Sequence, residues 1–405
     1  MVLLSLVAVS GCTTHDGRKS AGAAAAARRE WLLVFHLPYD NDLDGLAERV
    51  LADVMAEVPD ERLVATMLVD RAGEQGLRRA AVTGGQLVSD ERLDTDDSSD
   101  VSVFEEYLGW AAATFPARRR ALFLLGHGGR LDEVSLDISP AATPDAGARW
   151  ASGVSVAAAI RRWRSSPADS DLELLFLQQC GRATIENLYS FRDTAEVIVA
   201  SETFVGAPNS YYRPVLRRLR ASPDMSGQEL AEAILDSETE AAALAVFGGH
   251  ALGELPGLAN TLVDALRRPD GRRLARPQGQ VSAYGANGEV TYDLCTFVGE
   301  LAAANGLGAN PTVVRSLAWV SRDLIIARRD WDQFFPSVDR AWCGVATYIP
   351  WRSEEVGEYD DLPFYRDSRW RQLIERLAAP RVIPESPEVV YVSPAQADAG
   401  QRDAE

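Results

Sequence analysis

The chain has 405 residues, 46% of them apolar and 25% charged, the proportions of a globular protein with one large core or two smaller ones. Its 41 Lys and Arg face 59 Asp and Glu, giving a net charge of -18, which opposes attraction to phosphate backbones and argues against nucleic acid as a partner. The four cysteines, Cys12, Cys180, Cys295 and Cys343, have neither metal-ligand spacing nor the density of a disulfide-stapled domain. Cys295 and Cys343 read as core residues.

Val2 to Gly11 is an apolar stretch too short to cross a bilayer but suited to a signal peptide. Val9-Ser10-Gly11-Cys12 resembles a bacterial lipobox, which implies a signal peptide over 1–11, cleavage before Cys12, lipidation of Cys12, and export to the cell envelope. The polar and alanine-rich residues 12–29 read as a tether.

Trp31 to Leu37 is an apolar run expected to form the first strand. Asp40 to Asp44 follows, with Asp40 and Asp42 read as helix caps rather than cation ligands, before a helix from Leu43 to Glu57. Leu63 to Asp70 is a second buried strand, and the polar stretch from Arg71 to Asp100 reads as loop with at most a small hairpin. A helix over Val103 to Thr114 leads to the strand Ala121 to Leu125, which ends in Gly126-His127-Gly128-Gly129. Gly129 to Gly153 reads as a long loop, with Arg130 to Arg149 a candidate processing segment. A helix over Ser155 to Trp163 precedes the strand Leu172 to Leu177, which ends in Gln178-Gln179-Cys180-Gly181. A helix over Ala183 to Phe191 and a strand Glu196 to Ala200 complete the pattern. Strand and helix alternating in this way predict an α/β fold with a parallel-dominated sheet and helices on both faces.

The second half reads as more helical, with helices over Ser226 to Phe247, Leu258 to Leu266, Tyr292 to Ala304 and Thr312 to Arg328. Val345 to Ile349 returns a strand to the core, Trp370 to Leu377 is a closing helix, and 384–405 is a frayed tail. The expected organisation is a catalytic core over 30–220 and a helical C-terminal region over 221–383.

Two strand ends carry the chemistry. Ligands bind at the carboxyl edge of open α/β sheets, and there one strand delivers His127 and another delivers Cys180. A free thiol is a weak nucleophile at neutral pH and needs a cation, a helix N-terminus or a base nearby. The helix after Cys180 and the imidazole of His127 are the candidates. The amides of Gly128 and Cys180 are placed to hold a developing oxyanion. His36 and His250 read as structural.

The chain resembles the clostripain family of cysteine peptidases, which shares the caspase, gingipain and legumain fold. The resemblance runs through Trp31 to Asp44, Phe115-Pro-Ala-Arg118 with Ala121 to Gly129, and Leu172 to Glu186, where Cys180 and Glu186 keep the family's spacing. It continues through Ala195 to Glu202, Tyr292 to Phe297, Gly344 to Pro350, Pro363-Phe364 and Trp370. It implies a caspase-like fold and an endopeptidase with His127 and Cys180 as its dyad, acting on peptide or protein substrates. Gln178, Gln179, Ser201 and Glu202 become the residues of the substrate pocket. The family's Asp two residues before the nucleophile is Gln178 here, so selection of Arg is not expected; a neutral polar or bulky residue fits better, and Arg182 leaves an acidic one as a further option. No cofactor is required by the resemblance, although some relatives need calcium. A monomer is expected. The alternative is a catalytically silent caspase-like module that binds peptides or proteins.

Overall fold

The structure is a computed structural model. It describes residues 29–58, 60–138, 148–165, 171–268, 273–277, 281–286, 289–331, 342–350, 355–377 and 389–391. The signal peptide, Cys12 and the tether up to residue 28 lie outside the described residues.

In chain order the elements are β1 (Arg29–Tyr39), α1 (Ala47–Glu57), β2 (Leu63–Arg71), β3 (Arg78–Thr83), β4 (Gln86–Arg92), α2 (Val101–Thr114), β5 (Ala117–Leu124), β6 (Glu133–Asp137), β7 (Arg149–Ser152), α3 (Gly153–Arg164), β8 (Asp171–Leu177), α4 (Ile185–Ser190) and β9 (Val197–Ala200). The second half supplies α5 (Tyr212–Ala221), α6 (Gly227–Ser237), β10 (Ala243–Gly248), α7 (Leu255–Ala265), β11 (Val281–Ala286), β12 (Glu289–Asp293), α8 (Leu294–Ala304), α9 (Pro311–Trp319), β13 (Ile325–Asp330), β14 (Ala346–Tyr348), α10 (Pro363–Asp367), α11 (Trp370–Leu377) and β15 (Val389–Tyr391).

Among the described residues a nine-stranded sheet runs in the order β13-β10-β9-β8-β5-β1-β2-β3-β4. Its centre, β9-β8-β5-β1-β2, is parallel, and both flanks are antiparallel. The continuous apolar runs are explained by burial on both faces. Along β1, Trp31, Leu33, Phe35 and Leu37 join one core with α1, α5 and α6. Leu32 and Val34 turn to the other core with α2, α3, α4 and α7. Helices therefore cover both faces, as the alternation implied.

Several expectations are corrected. The small hairpin allowed within Arg71 to Asp100 is present as β3 and β4, but it extends the sheet rather than standing in a loop; β4 is almost wholly exposed, so no apolar alternation betrays it. The long loop after Gly129 contains the β6–β7 hairpin. The helix begun by the Ser226 and Glu229 capping box stops at Ser237, and Ala243 to Gly248 is a strand, because antiparallel pairing to β9 outweighs the helix preference of its alanines. Likewise Ile325 to Asp330 leaves the helical pattern to pair with β10. The strand near Ala346 is real, but it joins a separate four-stranded sheet, β14-β12-β11-β15; β10 and β13 are the strands that the second half adds to the core. Val389–Tyr391, inside the expected frayed tail, pairs with β11.

Cys295 and Cys343 are not independent core residues but form a disulfide, with Cα atoms 6.0 Å apart. The cause is local: Asp293 pairs with Ala346 across β12 and β14, which brings the first turn of α8 beside the residues preceding β14.

Candidate active site

Leu124 of β5 pairs with Leu177 of β8, so His127 and Cys180 each follow a matched strand position by three residues. The ladder continues past the strands, with Gln178 N–H donating to the Leu124 carbonyl at 2.9 Å. The two loops then touch: a Cβ on Gly128 would lie 2.2 Å from the Cys180 carbonyl oxygen, so any side chain at 128 would push the loops apart. Gly181 has φ +67°, which favours glycine at the turn after the cysteine.

Arg182 holds this arrangement. Although 3% exposed, its guanidinium donates to the carbonyls of Cys180 at 3.1 Å, Arg130 at 3.1 Å, Glu133 at 2.7 Å and Gly129 at 2.8 Å. One buried cation thus ties the cysteine loop to the histidine loop. Its donors are consumed by backbone, so it is not the open cationic contact for an acidic substrate residue that the sequence suggested.

His127 is partly exposed, and its Nε2 lies 2.7 Å from Asp42 Oδ1. Asp42, read from sequence as a helix cap, does not serve as one; the neighbouring Asn41 carboxamide accepts the Leu43 N–H at 3.0 Å. No local pattern could have distinguished them, since the partner is 85 residues away.

Cys180 is free and half-buried. Val205 N–H donates to its sulfur at 3.3 Å, and the thiol donates to the Val205 carbonyl at 3.5 Å. The Tyr284 hydroxyl of β11 stands near the thiol, and its ring sits against Gly181. Burial pushes the thiol pKa up, while the Val205 amide, the Tyr284 hydroxyl and the Arg182 charge pull it down. The following helix starts only at Ile185, capped by Thr184, so the nearby positive charge is the Arg182 guanidinium rather than a helix N-terminus. Among the described residues no hydrogen bond joins Cys180 to His127. A general acid that protonates a leaving amine does not need one in the resting enzyme.

The four expected pocket residues are buried. Gln178 is 4% exposed; its amide donates to Tyr212 Oη at 2.8 Å and to Asn209, and its carbonyl accepts from Tyr211 at 2.6 Å. Gln179 donates to the Leu125 carbonyl at 3.1 Å, and Ser201 accepts the Thr203 N–H at 3.0 Å. Glu202 accepts the Gly344 N–H at 2.8 Å and lies beside the Asp293 carboxyl. Burial, and then Asp293, raise the Glu202 pKa well above the usual carboxylate range; burial raises Asp293 to about 6. In this conformation the four side chains support the loops from behind and offer no open contact surface.

Glu186, the acid six residues after the cysteine, is also internal. Its Oε1 accepts from Thr347 at 2.8 Å, Tyr348 N–H at 3.1 Å and Tyr365 at 3.3 Å, so it fastens α4 to β14 and α10. Burial lifts its pKa to about 7. His36 is buried beside Phe104 and kept neutral, its pKa lowered by burial to about 4.

The clostripain family model matches residues 39–253, more than half of the chain, and this span contains both loops and the clamp between them. The chain belongs to the clostripain family of cysteine peptidases. Solved structures of such peptidases share its fold. A secreted C11 cysteine protease from Bacteroides thetaiotaomicron, in complex with an irreversible peptide inhibitor, superposes with a TM-score of 0.61 at 16% identity, over 84% of this chain and 99% of that one. An inactive zymogen C11 protease from Parabacteroides distasonis gives 0.55 at 15% identity, over 84% and 98%. No curated protein matches the chain.

Proposed function

We propose that this clostripain-family member is an endopeptidase in which Cys180 attacks the scissile carbonyl and His127 serves as general acid and base. The Cys180 thiol gives its proton to His127 as the sulfur bonds to the carbonyl carbon, and the amides of Gly128 and Cys180 receive the oxyanion. As the C–N bond breaks, His127 passes that proton to the departing amine; it then takes one from the water that adds to the thioester and returns it to the sulfur as the C–S bond breaks. Asp42 orients the imidazole through Nε2. The observation that carries this reading is the matched register of β5 and β8, with Gly128 pressed against the Cys180 carbonyl.

Selection of Arg is not part of the proposal. A neutral amide stands at Gln178, already bonded to Tyr211, Tyr212 and Asn209, and a buried cationic side chain would find no carboxylate there. Export with lipidation of Cys12 is proposed from Val9-Ser10-Gly11-Cys12. It is supported by a disulfide suited to an oxidising compartment and by the secreted relative from Bacteroides thetaiotaomicron. No described helix is long and apolar enough to cross a membrane.

The test is a peptide-library cleavage profile of the wild type and Cys180→Ala. Loss of turnover by about 10⁴-fold or more, without enrichment of Arg at the cleaved position, is the expected result; turnover that survives in the variant overturns the assignment. A second reading, a silent peptide-binding module, draws on the raised thiol pKa and the Tyr284 contact. Iodoacetamide separates the two. A catalytic thiol at 180 reacts faster than a free cysteine peptide at neutral pH, whereas a silent one reacts more slowly.

A further inference from the structure

At the same edge of the sheet, beyond β1 and β2, three carboxylates converge from separate segments. Asp40 follows the last residue of β1, Asp70 is paired with Pro38 on β2, and Asp137 ends β6. They are 5%, 4% and 0% exposed, and one oxygen from each lies within 4.8 Å of the others. Oxygen atoms bound to a common Ca²⁺ at about 2.4 Å stand up to about 4.8 Å apart.

Two further observations point to a ligand. Asp70 Oδ2 is buried without a hydrogen-bond partner, and so is the hydroxyl of Ser98, a residue 3% exposed. Ser98 sits against the cluster: its amide donates to Asp137 Oδ2 at 2.8 Å, and its side chain is close enough to Asp70 to draw that pKa down without completing a bond. An orphaned carboxylate oxygen and an orphaned hydroxyl at one buried spot are costly in the absence of an occupant.

We propose that Asp40, Asp70 and Asp137 bind a divalent cation of the calcium type, with the Ser98 hydroxyl as a neutral donor. The all-oxygen donor set suits a hard cation and offers nothing to a metal that prefers sulfur or imidazole. The cation would join the tips of β1 and β2 to the β6–β7 hairpin, and Asp40 is two residues from the Asp42 that holds His127. The proposal does not depend on peptidase activity.

The experiment is calorimetric titration of the full chain with CaCl₂ and thermal melting with and without it, with MgCl₂ in parallel. Calcium is expected to bind and to raise Tm by on the order of 5 °C at a hundredfold excess over Kd. Asp70→Asn should abolish both signals without lowering the metal-free Tm, since it removes one of three crowded charges. Ser98→Ala keeps the charges and should weaken Kd by about 3-fold or more. Absence of heat and of a melting shift up to ~10 mM CaCl₂ overturns the proposal. An unchanged response in Asp70→Asn overturns it equally, as would an unchanged Kd in Ser98→Ala should Asp70→Asn fail to fold.

Discussion

Two neighbouring pairs of parallel strands end at one edge of the sheet, and they end differently. Beyond β5 and β8, His127 and Cys180 stand on loops whose backbone carbonyls are gripped by a buried guanidinium. Beyond β1 and β2 the buried groups are carboxylates of like charge, with one oxygen left unbonded. The first crevice is held by the chain's own cation and keeps its histidine partly exposed; the second is a cluster of buried carboxylates, where the divalent cation is proposed to sit. What differs between two adjacent strand ends is therefore the sign of the charge buried behind them.

The comparison is broken most sharply at His127. His127→Ala should lower kcat/KM by about 10³-fold or more while leaving the melting temperature near that of the wild type; a loss below tenfold removes the histidine from the chemistry. Arg182→Met should destabilise the fold by about 3 kcal/mol or more, because the carbonyls that it serves stay buried without donors. Urea unfolding measures this, and an unchanged midpoint would mean that the loops hold themselves. Asp42→Asn should lower kcat by about 10-fold with KM unchanged, a modest effect because the carboxylate is 78% exposed. Asp42→Glu should restore part of the loss, which a purely structural role would not predict.

The smallest expected effect concerns pH. Glu186 is raised in the fold to about 7 from an ordinary value of 4.5, so between those values the folded chain binds more protons than the unfolded one. Its stabilising contribution is complete at low pH and declines as pH rises through that window. Glu186→Gln should therefore flatten the fall in melting temperature between about pH 5 and pH 8. A slope that matches the wild type would show that other carboxyls carry the dependence.

That the His127 and Cys180 loops lie side by side was legible because the determinants of the two strands are local. Apolar runs ending in His127-Gly128-Gly129 and in Cys180-Gly181 name both the strands and their carboxyl ends. The acidic crevice was not, since Asp40, Asp70 and Asp137 come from three segments and each alone looks like a cap or a strand-end polar residue. Tyr284 was equally silent: it reaches Cys180 from 104 positions downstream, through a small sheet that periodicity does not announce. The strands mistaken for helix, Ala243–Gly248 and Ile325–Asp330, fail for a different reason. Their pairing partners, rather than their own preferences, decide them. Gln178, expected to line a pocket, turns inward to Tyr211 and Tyr212, and no sequence pattern says which way it faces.

The Arg182 grip decides what a cut between β6 and β7 would do. It spans both sides of the stretch between β6 and β7: its donors reach Gly129, Arg130 and Glu133 ahead of that stretch and Cys180 behind it, while Asp137 and Arg149 remain paired across the hairpin. A polypeptide severed there would therefore persist as a two-piece assembly with the His127 and Cys180 loops still in register.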